Sequence, residues 1–160
     1  MEEKERLKGV PGMLRPFKQY LVGAGLPEGA QIVYYGCPGT CTPFIELLAF
    51  AVRDLPVEQV FVPYLDEGKA RTIRPVADVG MQIGEAPASL HPAVAVVMGG
   101  LAMPNIPVTA EAAAAVLEKY PDARRTGICF MSMFEKEGWT GAIGFDLLID
   151  ASIDPVTVYR

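Results

Sequence analysis

One histidine, three cysteines, one tryptophan and no surplus of positive charge mark what this 160-residue chain has little of. His91 is the only histidine, and near Glu135, the one well-placed candidate general base, the sequence has no Ser, His and Asp trio and no carboxylate pair. Three cysteines are an odd count and too few for a secreted disulfide framework, so a reducing, cytoplasmic setting is expected. Lys and Arg number 14 against 19 Asp and Glu, and the net charge of −5 argues against nucleic acid or an anionic membrane surface as a bulk partner. No run approaches the roughly 20 apolar residues of a membrane span, because Glu46, Arg53 and Asp54 interrupt the longest candidate. The mixed charges of Met1-Glu2-Glu3-Lys4-Glu5-Arg6 have no apolar signal core behind them. Repeats, low-complexity tracts and long linkers are missing too, so residues 1–160 are expected to form a single domain.

What is present is apolar surface: 51% of residues are hydrophobic and 21% charged, enough for a core and for a subunit interface. A homo-oligomer is therefore expected, with a dimer as the first choice. Residues 1–30 read as a helical lead-in, with Val10, Leu14, Phe17 and Leu21 on one face, interruptions at Pro11 and Pro16, and an end at Gly23, Gly25 and Pro27. Ile32-Val33-Tyr34-Tyr35 has the composition of a buried strand. The apolar stretch from Pro43 to Leu55 is too long for a strand and reads as a helix, with Thr42 as N-cap and Pro43 at the first position. Within Phe44–Val52 only Glu46 is charged, so this helix should be covered on most sides, by the sheet and by another helix or subunit.

Further strands are expected at Gln59–Val62, at Ala77–Ile83 on a sheet edge, at Ala93–Met98 in the sheet centre, at Thr126–Met131 and at Gly144–Ile149, with Val156–Tyr159 pairing at an edge. Thr109 should cap an alanine-rich helix running to Tyr120 and stopped by Pro121. Strands alternating with helices give an α/β fold, a three-layer sandwich around a mostly parallel central sheet with right-handed crossovers. In such sheets ligands sit beyond the carboxyl ends of the strands, where the strand order reverses.

Three segments should meet at that rim: Gly36–Thr42, Gly99–Asn105 and Ser132–Trp139. Amides at a helix start lack intrahelical partners and carry partial positive charge, so the first segment suits a small anionic or nucleotide-like ligand. The expected binding residues are Gly36, Cys37, Gly39, Thr40, Cys41, Thr42, Gly99, Gly100 and Asn105. The turn lacks a P-loop lysine and the dinucleotide-binding spacing, and Gly39 and Thr42 equally suit a simple turn and cap. Asp66 and Glu67 follow the second strand, where a carboxylate can meet a ribose hydroxyl, or else form a solvated turn. Met98, Met103, Met131 and Met133 cluster near the rim as pocket lining or core filler. Trp139 is either a lid or a packing residue.

Cys41, near a helix start, is a candidate low-pKa thiolate with Cys37 as its resolving partner, which gives a thiol-redox alternative. Cys129 should lie two strands away as a small core residue, and His91 at the opposite end of the sheet, so no metal site is expected. Glu135 is the remaining candidate general base. No cofactor is specified by these residues. A non-enzymatic oligomeric subunit, structural or regulatory, joined through the apolar helix Phe44–Val52, is a third reading.

The strand Ala93–Met98 running into Gly99-Gly100-Leu101-Ala102-Met103-Pro104, together with Gly36-Cys37-Pro38-Gly39-Thr40-Cys41 after a strand, resembles a family of uncharacterised small proteins from methanogenic archaea. The resemblance covers most of the chain. It implies a Rossmann-like fold and an archaeal cytoplasm, and it brings no activity, since that family is a domain of unknown function.

Overall fold

The structure, a computed structural model, describes residues 2–160. Seven strands, β1 (Ala30–Gly36), β2 (Val57–Pro63), β3 (Arg71–Val76), β4 (Gly80–Ile83), β5 (Pro92–Met98), β6 (Arg124–Phe130) and β7 (Leu147–Ala151), form one sheet in the order β4-β3-β2-β1-β5-β6-β7. The pairings from β2 through β7 by way of β1, β5 and β6 are parallel, and β3 and β4 add antiparallel to the β2 side. Strand order reverses between β1 and β5. The two strands that flank this switch are buried at nearly every position, which is why their sequences are almost uninterrupted apolar runs.

Five helices surround the sheet: α1 (Gly9–Gly23), α2 (Thr42–Ala51), α3 (Ala110–Glu118), α4 (Met133–Lys136) and α5 (Trp139–Ala142). Adjacent tyrosines show the layering, because successive strand side chains point to opposite faces. Tyr34 lies against Phe17 of α1 and donates a 2.7 Å hydrogen bond to Gln59 Oε1, while Gln59 Nε2 donates to the Ala49 carbonyl in α2. Tyr35 points the other way, toward Tyr120 just after α3. Val97 and Gly127 share its row across β5 and β6. Gly127 leaves room there for Phe134 of α4, which stacks between Trp139 and Phe145. Helices α1 and α2 thus cover one face, and α3, α4 and α5 the other.

Several boundaries differ from expectation. Helix α1 runs through Pro11, where a missing N–H costs nothing, and continues past Pro16. Its buried positions are Met13, Phe17 and Leu21, whereas Val10 is exposed. β3 lies outside the strands expected from the sequence, because its Arg-Thr-Ile-Arg-Pro-Val mixes charge and proline as an outlying strand does. The edge strand expected from Ala77 starts at Gly80, and Ala77–Val79 belong to the turn between β3 and β4. The last strand begins at Leu147, later than Gly144, because Phe145 turns inward to the aromatic stack. Among the described residues Val156–Tyr159 has no pairing partner, and Val156, Val158 and Tyr159 stand exposed. Helix α2 buries Ile45, Leu48 and Ala49 and leaves Leu47 and Phe50 exposed in the single chain. Among the described residues no helix is long and apolar enough to cross a membrane.

Candidate functional site

The carboxyl ends of β1 and β5 lie side by side at the switch point, where the turn after Gly36 meets the diglycine after Met98. From Gly36 the chain enters a tight turn in which the Cys41 N–H donates to the Cys37 carbonyl at 3.0 Å. Gly39 adopts φ +77°, a left-handed conformation that favours glycine. Thr42 does not cap α2. Its hydroxyl accepts the Gly39 N–H at 3.0 Å from upstream, and Cys41 occupies the cap position without a side-chain bond. Of the four amides from 39 to 42, two are therefore used within the turn. Among the described residues those of Thr40 and Thr42 donate no hydrogen bond. Pro38, Gly39 and Thr40 are exposed and Thr42 is half-buried.

After β5 the chain tightens into a 3-10 turn, Gly99–Ala102, that closes over the cysteines. A methyl at Gly100 would collide with Cys41 Sγ, and one at Gly99 would come within 2.9 Å of the Cys129 Cα. All three thiols thus pack around the diglycine. Cys37 and Cys41 are only 2% and 3% exposed. Burial pushes the Cys37 thiol up to about 12 and raises Cys41 as well, despite hydrogen bonds to Cys41 from Cys37 and the Gly100 amide. The lowered thiol pKa expected at a helix start is reversed here, because desolvation of a thiolate outweighs the favourable amides. Cys129 lies under Gly99 and accepts the Phe134 N–H at 3.2 Å as a core residue. Among the described residues no group of three or more His, Cys, Asp or Glu is close enough to hold a metal ion.

These surroundings carry a direct consequence for reactivity. In the folded protein at mildly alkaline pH, iodoacetamide should leave all three cysteines unmodified, with alkylation appearing only on denaturation. Mass spectrometry of native and unfolded samples reads this out.

The other expected residues belong to later segments of the chain. Asn105 is exposed in the loop beyond the 3-10 turn, and Glu135 is exposed on α4. Trp139 is buried by its stack on Phe134, which gives it a packing position rather than that of a lid. Met98 is buried, Met103 and Met133 half-buried and Met131 exposed. Met131 and Ser132 both adopt positive φ at the end of β6, and Asp150 accepts hydrogen bonds from the Ser132 amide and hydroxyl.

A residue read as part of a solvated turn has larger structural consequences. Glu67 Oε1 accepts from Tyr35 at 3.1 Å and Tyr120 at 2.9 Å, while Oε2 accepts from Lys119 at 2.8 Å. Its side chain is 19% exposed. Burial raises its pKa, but the Lys119, Tyr120 and Tyr35 hydrogen bonds outweigh burial and hold the carboxyl below its usual range. Tyr120 is pushed up to about 12, by burial first and by Glu67 second. Every Glu67 oxygen is occupied, so this cluster fastens the end of α3 to the loop after β2. Local sequence gives no sign of it, because its partners stand 32 and 52 residues or more away.

Two surface hollows lie away from the switch point. One, of about 560 Å³, separates α3 from α5 and is lined by Glu111, Ala114, Glu118 and Gly141 among others. The second, of about 460 Å³, lies beside Pro56, Glu58 and Arg74.

Comparison with known proteins places relatives around this architecture. Residues 8–154 match the family described as "Uncharacterized protein conserved in archaea (DUF2124)". An uncharacterised protein of Methanothermobacter thermautotrophicus is 34% identical over 157 residues, covering 96% of each chain. One from Methanocaldococcus jannaschii is 35% identical over 152 residues, covering 94% of this chain and 89% of its own. The crystal structure of a protein of unknown function from Methanothermobacter thermautotrophicus superposes with a TM-score of 0.87 at 31% identity, over 100% of this chain and 99% of that one.

Proposed function

The chain belongs to the archaeal family DUF2124, and for this member we propose binding of a small anionic or nucleotide-like molecule at the carboxyl rim of the sheet, against the start of α2. The observation that carries this reading is the pair of undonated amides at Thr40 and Thr42, at the switch between β1 and β5. Amides at a helix start, aligned with the peptide dipoles behind them, attract phosphate or carboxylate without a lysine. The chain's net charge of −5 makes such local capture necessary, since the protein as a whole repels anions. In this reading the exposed Thr40 hydroxyl adds a donor. The buried cysteines and the diglycine turn act as the rigid wall that holds the amides in place.

Titration of the ¹⁵N-labelled protein with inorganic phosphate and with adenosine nucleotides tests the reading. The Thr40 and Thr42 amide resonances should shift in a saturable way, and thermal stability should rise by about 2.7 kcal/mol at ligand concentrations 100 times Kd. Amides 39–42 unmoved by phosphate, carboxylates and nucleotides alike would overturn it.

A further inference from the structure

We propose that residues 152–160 form an arm that pairs with the β7 edge of a second copy of this chain. The segment Ser152-Ile153-Asp154-Pro155-Val156-Thr157-Val158-Tyr159-Arg160 has no secondary structure, and its backbone makes no hydrogen bond to any described residue. Its composition is not that of a solvated tail. Ile153, Val156, Val158 and Tyr159 are 63%, 71%, 74% and 90% exposed, beside one acid and one base, and the segment has no glycine. Disordered segments are poor in β-branched and aromatic residues, whereas these are the residues that favour strands.

The fold offers an acceptor of matching kind at the arm's root. β7 is an edge strand, paired with β6 on one side only. Its Leu147, Leu148 and Ile149 are only half-buried, where β1 at the sheet centre is buried throughout. Exposed Met131, whose N–H donates to the Ala151 carbonyl, extends this apolar surface to the point where the arm leaves the sheet. An open edge of this kind is a template for strand addition, and natural sheets normally charge, shorten or cover it. The opposite edge is already blunted: β4 has four residues, starts with glycine and exposes Gln82.

Geometry favours a second copy over the arm's own β7. A return onto the strand it has just left would need a two-residue hairpin turn within Ser152-Ile153-Asp154-Pro155, which has turn-forming Ser, Asp and Pro but no glycine or asparagine for positive φ, and whose Pro155 has no N–H to donate across the hairpin. Donation to a partner needs no such turn. Each copy has one arm and one β7 edge, so two copies can exchange arms reciprocally and close as a two-fold dimer, with no acceptor left over to continue a chain.

Sedimentation velocity on the full chain, on a chain ending at Ala151 and on the full-length Val158→Glu variant tests this. All seven strands and all five helices end by Ala151, so the shortened chain keeps every element of the fold, and circular dichroism checks that it does. The full chain should sediment as a dimer, and both altered chains should show half its mass. Hydrogen exchange at the outward β7 amides should accelerate about tenfold or more in both. A monomeric full chain, or a dimer that survives both changes with β7 exchange unaltered, would overturn the proposal.

Discussion

Gly99→Ala is expected to destabilise the protein by about 3 kcal/mol, seen as a fall of roughly 6–12 °C in Tm by scanning calorimetry. The added methyl would lie 2.9 Å from the Cys129 Cα and 3.0 Å from its Sγ. A flexible side chain could swing aside, but the Cys129 Cα is backbone of β6, next to the last β5–β6 pair and itself paired with Asp150 of β7, and cannot. Relief would require the two strands to separate at the switch point, which would also disturb the turn that positions the Thr40 and Thr42 amides. Gly141→Ala serves as the control. A methyl there meets nothing within 4 Å, so its Tm should hold or rise slightly. Equal losses in the two variants would show that the diglycine turn is not the tight junction described.

Removing the Glu67 carboxylate should cost about 2 kcal/mol, or roughly 4–8 °C in Tm, because Glu67→Ala leaves the buried Tyr35 hydroxyl, Tyr120 and Lys119 without their acceptor. Tyr35 suffers most, since the residue is only 1% exposed and water cannot replace the lost partner. The loss depends on pH with a definite sign. The folded protein holds Glu67 below its ordinary pKa, so its contribution is complete above the unfolded carboxylate value and disappears as pH falls through the folded one. Urea unfolding should therefore separate wild type from Glu67→Ala by a constant gap at neutral pH, and the gap should close only in acid. A gap that widens on acidification would contradict the assignment of Glu67 as the charged acceptor.

The contrast between these two sites shows which features local sequence carries. The strands Ala30–Gly36 and Pro92–Met98 are legible because burial on both faces demands an apolar residue at nearly every position. The cap at Thr109 is legible as well, since its Oγ1 accepts the Ala112 N–H three residues on. Thr42 has the same sequence signature and a different partner, because the glycine turn upstream presents its own amide first. Val156–Tyr159 has strand composition without being a strand, since pairing requires a neighbour that composition alone does not supply.

By itself the sequence determined the α/β class, the alternation of elements, the meeting of the cysteine turn with the diglycine at one rim, and the likeness to methanogen proteins confirmed by the family match. Those features follow from local burial patterns and turn chemistry, which a chain carries residue by residue. Tertiary structure alone decided that the thiols are buried and raised, that Glu67 joins three distant donors, and that among the described residues two of four turn amides are free and the last nine residues are unpaired. Desolvation and hydrogen-bond occupancy depend on what folds against a group from elsewhere in the chain, and no local pattern encodes that neighbour.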